Sequence, residues 1–91
     1  MAGNELTLEG PVTIAKAEAL HHEIESLLSE SETLHINASA VERADTAIIQ
    51  LLSSTCTTAD NLNIQVEITA SDGLKECTDL LGFKQLSERY Q

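Results

Sequence analysis

Three times along this chain, a segment with the two-residue alternation of a half-buried strand is followed by one with the spacing of an amphipathic helix. Glu5 to Glu9 alternates as Glu-Leu-Thr-Leu-Glu, and Gly10-Pro11 is expected to end that strand. From Thr13, the expected N-cap, Ile14, Ala17, Leu20, Ile24, Leu27 and Leu28 recur at helical spacing, with Lys16, Glu18, Glu23, Glu25 and Ser29 on the wetter sides. Ser29 to Glu32 reads as a polar turn, Leu34 to Ala38 as a second strand and Ser39 to Asp45 as a loop. Helical spacing resumes at Ile48, Leu51, Leu52 and Cys56, and Ala59 through Asn63 breaks it before Ile64, Val66 and Ile68 mark a third strand. Ser71 is placed to cap a third helix carrying Leu74, Cys77, Leu80 and Leu81, which Gly82 closes; Phe83 to Gln91 is expected to add a last short helix.

Strands alternating with helices predict an α/β fold, because a connecting helix lets each strand return parallel to its neighbour and covers the sheet. No linker, repeat or low-complexity stretch divides the chain, so residues 1–91 are expected to form a single domain. A chain of 91 residues buries roughly 60 to 65 % of its unfolded surface, which is one modest core. With 42% hydrophobic residues but only 2% aromatic, that core must be aliphatic.

Charge narrows the partners. Fifteen acidic residues against five basic ones give a formal net charge of -10, which repels nucleic acid phosphates and anionic lipid headgroups, so no nucleic acid partner is expected. The apolar runs fall short of membrane-spanning length, so no direct membrane insertion is expected either. Cys56 and Cys77 lack Cys-x-x-Cys spacing and fall on apolar helical stripes, the pattern of two reduced thiols in a cytoplasmic protein.

The catalytic inventory is thin. His21 and His22 are adjacent, hence about 100° apart on a helix, and cannot face one metal as an i, i+4 pair would. Glu76, Cys77 and Asp79 have helical spacing but no completing ligand, and Gly3, Gly10, Gly73 and Gly82 are too scattered for a phosphate cradle. The expectation is a chain with no cofactor, no metal and no catalytic residue, and hence not an enzyme; a thiol- or metal-dependent enzyme is the weaker alternative.

Thr46 is the residue to explain. It stands with Asp45 between the second strand's end and the second helix's start, where a short hydroxyl side chain caps free backbone N–H groups and where a phosphate is also well received. Three roles stay open on these grounds: helix cap, partner contact and phosphorylation site.

The segment Ser39-Ala-Val-Glu-Arg-Ala-Asp-Thr-Ala resembles the STAS domain family, found in bacterial anti-sigma factor antagonists and in certain transporters. Ser39 matches the serine that closes the strand, Val41 the buried loop residue, Asp45-Thr46 the acidic and hydroxyl pair, and Leu51-Leu52 the apolar helix face. The Gly10-Pro11-Val12-Thr13 opening and Leu80-Leu81-Gly82-Phe83 are similar too, so the likeness runs over nearly the whole chain. It departs at Asn37-Ala38, where the family has Asp-Leu, at Ala44, where it has a larger apolar residue, and at Ile48, where it has Gly; a β-branched side chain there is expected to enlarge the surface beside Thr46.

The resemblance implies a small, largely parallel sheet with packed helices and a non-enzymatic signal-transduction module. Its partner is expected to dock at the start of the second helix, on Ser39, Arg43, Asp45, Thr46, Ala47, Ile48 and Ile49. In many relatives the hydroxyl residue at the position of Thr46 is phosphorylated and the partner released, so Thr46 is the phosphorylation candidate. The expected partner is an anti-sigma kinase or another signalling protein; the alternative is the ATPase of a phospholipid-trafficking ABC transporter, whose STAS subunit shares the short form and the Asp-Thr-Ala sequence.

Overall fold

In a computed structural model, which describes residues 3–30 and 32–90, the period-two segments become strands of one sheet. The order is β1 (Gly3–Val12), a 3-10 turn (Ile14–Lys16), α1 (Ala17–Glu30), β2 (Thr33–Ala44), α2 (Thr46–Asn61), β3 (Gln65–Ala70), α3 (Asp72–Leu80) and α4 (Lys84–Arg89). The strands lie side by side as β1-β2-β3, both pairs parallel, with a helix in each crossover. Ser31 of the expected turn and Gln91 of the expected last helix lie outside the described residues.

Alternation sorts the two faces of the sheet. Leu6 and Leu8 of β1, Leu34, Ile36 and Ala38 of β2, and Val66, Ile68 and Ala70 of β3 are buried beneath the helices. They pack with Leu20, Ile24 and Leu28 of α1, Ile48, Ile49, Leu52 and Ala59 of α2, Leu74 of α3 and Leu86 of α4 as one aliphatic core. The opposite face is polar, and the register sets Glu5, His35 and Glu67 in one row and Thr7, Asn37 and Thr69 in the next. His35 ties the strands together there, its Nδ1 3.0 Å from the Glu5 carboxylate and its Nε2 2.8 Å from the Thr69 hydroxyl.

Two expected boundaries move for one reason. Gly10-Pro11 does not end β1, and residues 39 to 44 are not a loop: both belong to strands that continue with irregular register. Thr7 pairs with Asn37 but Glu9 with Ala40, and Gly10 with Val41 but Pro11 with Arg43, so β2 gains one extra residue at each shift. Inward-facing residues are thereby spaced by three, at Ala38, Val41 and Ala44, and the two-residue signature vanishes from a segment that is still a strand. Gly10 supplies a positive φ of 65° opposite the second bulge, and Pro11 is tolerated because β1 is an edge strand.

The helix ends also differ from expectation. Ser29 and Glu30 belong to α1, and α2 runs on to Asn61 before Asn63, at φ 59°, turns the chain into β3. Thr13 makes no side-chain cap bond. Ser71 does cap α3, its hydroxyl accepting from the Leu74 amide at 3.0 Å and donating to the Val41 carbonyl. Gly82, at φ 77°, follows the end of α3 as its position predicts.

The inward position one turn after Leu74 is taken by Thr78, which is fully buried, rather than by Leu80 or Leu81. The Thr78 hydroxyl donates to the Leu74 carbonyl at 2.8 Å and lies 2.7 Å from the Tyr90 hydroxyl, so the buried oxygen is satisfied. Tyr90 in turn forms a parallel bridge with Ile68, laying the end of the described chain on the outer side of β3.

Candidate functional site

The site begins where β2 hands over to α2. Asp45 is the N-cap residue of α2 in extended conformation, and its backbone carbonyl accepts from the Ile48 and Ile49 amides. Its carboxylate does not cap the helix. Oδ2 instead accepts from the Ile14 amide at 3.0 Å, while the Asp45 amide donates to the Val12 carbonyl at 3.2 Å. Asp45 thus fastens the start of α2 to the end of β1 and the 3-10 turn.

Thr46 follows as the first residue of α2, exposed, and its hydroxyl has no partner among the described residues. The capping role weighed for it is therefore absent from this geometry. Beside it opens a shallow depression of about 300 Å³, lined by Ala44, Asp45, Thr46, Cys77, Leu80 and Leu81. Leu80 is 80% exposed, Leu81 42%, and Ile14, one hydrogen bond from Asp45, 68%. Leu80 and Leu81 thus stand in water beside an unengaged hydroxyl, and burying an aliphatic side chain of this kind is worth about 1.5 kcal/mol or more.

The other expected contact residues divide. Ala47 is half-buried and Arg43 exposed at the end of β2. Ser39 is exposed within the bulged stretch, where its hydroxyl donates to Asn37 Oδ1 at 2.7 Å and its amide to the same oxygen at 3.2 Å. Ile48 and Ile49 are corrections. Both are at most 1% exposed and belong to the aliphatic core, so neither side chain is on the surface for a partner to touch. For the same reason Ile48 does not enlarge the surface beside Thr46. Sequence reasoning missed Ile14, Leu80 and Leu81 as surface residues by assigning all three to buried stripes, and adjacency alone gave no signal, since the neighbouring pair Ile48-Ile49 is buried on both sides.

No group of three or more His, Cys, Asp or Glu side chains among the described residues is placed to hold a metal ion. His21 pairs with Glu25 at 2.6 Å one turn along α1. Cys56 and Cys77 are free thiols. Cys56 borders a second depression with Asp60 and Arg89; burial pushes its thiol up, Arg89 opposing in part, which is the reverse of an activated nucleophile. Arg89 and Asp60 form an ion pair across α4 and α2, and the hydrogen bond from Arg89 holds the Asp60 carboxyl below its ordinary range.

Residues 1–88 match the model of the family described as Mlab, STAS domain. The chain belongs to the STAS domain family. Among solved structures it is similar to the anti-sigma factor antagonist SpoIIAA in its unphosphorylated form, with a TM-score of 0.82 at 11% identity over 99% of this chain and 78% of that one. It is also similar to the STAS domain of a SulP transporter from Vibrio cholerae, with a TM-score of 0.67 at 21% identity over 97% of this chain and 71% of that one. A third likeness, to Mglu, has a TM-score of 0.70 at 21% identity and covers 79% of this chain but only 18% of that one. At these identities the structural matches carry the fold. No curated protein sequence matches significantly. Among the described residues no helix is long and apolar enough to cross a membrane.

Proposed function

We propose that this chain is a cytoplasmic, non-enzymatic regulatory module that docks a signalling protein, an anti-sigma kinase or another of that class, on the surface around Thr46. Phosphorylation of Thr46 is the off switch. The observation that carries the reading is the exposed Thr46 hydroxyl, without a hydrogen-bond partner among the described residues and beside the exposed Leu80 and Leu81. A partner covering this surface buries the leucines and the threonine together. A phosphate on Thr46 adds roughly 1.5 to 2 negative charges to that contact, where desolvation and the nearby Asp45 carboxylate both disfavour docking. Ser39, Arg43, Asp45 and Ala47 contribute the polar and small parts of the same surface.

A second reading keeps the surface and changes the partner. The match to the Mlab family model, with the Asp45-Thr46-Ala47 sequence, favours a regulatory subunit seated on the ATPase of a phospholipid-trafficking ABC transporter. An affinity pull-down from native cytoplasm with wild type, Thr46→Ala and Thr46→Glu, read by mass spectrometry after confirming that all three fold, tests both. A partner kept by wild type and Thr46→Ala but lost with Thr46→Glu is the expected result, and its identity chooses between the readings. Identical partners for all three remove Thr46 from the interface.

A further inference from the structure

The outer side of β1 is unclaimed. The sheet order leaves this ten-residue strand with one neighbour, β2, and no strand partner on its other side among the described residues. Alongside it, between β1 and α1, runs a groove of about 260 Å³. Its lining includes the successive strand residues 6 to 9, which point to opposite faces of the sheet. Only the free edge of a strand presents both faces to one groove.

The groove has a composition of its own. Leu6, Leu8 and Leu20 give it an apolar floor, Glu9 and Glu23 stand exposed on its rim, and Lys16 is its cation. Lys16 is already engaged, its Nζ donating to the Pro11 carbonyl at 3.4 Å. Neither the Glu9 nor the Glu23 carboxylate has a hydrogen-bond or ion-pair partner among the described residues. An edge with unpaired backbone groups, an apolar floor and two exposed carboxylates matches an added strand whose side chains alternate between apolar and basic.

We propose that the β1 edge binds an extended segment of another protein, rich in alternating apolar and basic residues, as a fourth strand. Its backbone pairs with β1, its apolar side chains enter the groove over Leu6, Leu8 and Leu20, and its Lys or Arg side chains meet Glu9 and Glu23. Charge selects this occupant. A second copy of the chain would bring another net charge of -10 and acidic side chains of its own against Glu9 and Glu23. The lining of this groove shares no residue with the depression beside Thr46, and the Thr46→Glu arm of the test keeps the two proposals distinguishable.

The test is selection of a phage-displayed random dodecapeptide library against the folded protein, followed by amide-shift mapping of the winning peptides by NMR. The expected winners alternate basic with apolar residues and shift the amides of residues 5–12. Their affinity falls about tenfold with the Glu9→Lys/Glu23→Lys pair, falls less with Glu9→Gln/Glu23→Gln, and is unchanged in Thr46→Glu. Both carboxylates are exposed, and circular dichroism confirms that the variants fold. Winners that map elsewhere, that are acidic, or that bind the charge-reversed protein equally well overturn the proposal, as does concentration-dependent self-association through β1 without peptide.

Discussion

Helices α2 and α3 both begin at the end of a parallel strand, yet their starts are built in opposite ways. At α3, Ser71 spends its hydroxyl on the Leu74 amide and the Val41 carbonyl, and Gly73 lies so close to β2 that a β-carbon there would come within 2.2 Å of the Glu42 carbonyl oxygen. At α2, the cap residue turns its carboxylate away to Ile14 and the next hydroxyl is left in water. One start is closed by its own side chains; the other is open. A hydroxyl at a helix start becomes a candidate for external chemistry only where the fold has not already used it.

Substitutions at the two starts break this contrast to different depths. Gly73→Ala forces β2 and α3 apart; an overpacking cost of about 3 kcal/mol exceeds the gain of about 1 kcal/mol in helix propensity, so thermal unfolding should show a net loss near 2 kcal/mol. Ser71→Ala removes the cap and a donor to Val41, and chemical denaturation should register about 1.5 kcal/mol. Asp45→Ala frees the Ile14 amide and loosens the junction with β1 at a cost of about 1 kcal/mol, and amide exchange at Ile14 should quicken before the rest of the protein responds. Thr46→Ala should change stability by less than about 0.5 kcal/mol, since no internal bond is lost. A Thr46→Ala loss as large as that of Ser71→Ala would make the two starts equivalent and return Thr46 to a capping role.

The legible parts of the sequence were those whose physics is local. Ser71 and Gly82 mark the ends of α3 by chemistry acting within a turn, and Leu34, Ile36, Val66 and Ile68 show their inward face by alternation alone. Residues 39 to 44 were illegible because a bulge adds a residue that the partner strand alone reveals. Ile48 and Ile49 lie about 100° apart on α2, and only the packing of the whole core, which takes in both, decides that neither is exposed. Leu80 and Leu81 read as core because helical spacing cannot tell where a helix stops; α3 ends at Leu80, and Thr78 occupies the inward place. Asp45 and Thr46 could be singled out from sequence, but which of the two was structurally engaged depended on the Ile14 amide, 31 residues away along the chain.

The bond between Thr78 and Tyr90 has an optical consequence. The chain contains one Tyr and no Trp, so its near-ultraviolet absorption and intrinsic emission come almost entirely from a single ring lodged against β3. Burial, partly offset by the hydrogen bond with Thr78, pushes the Tyr90 hydroxyl up from 10.0 to about 12. Because the folded value is the higher one, the stability this ring contributes is intact below pH 10.0 and drains away as the pH climbs toward about 12. A spectrophotometric titration should therefore show phenolate absorbance appearing late in folded protein and near the ordinary value in urea, with Thr78→Val altering the folded curve alone. The chain thus carries a built-in, label-free reporter of whether its last turn is seated.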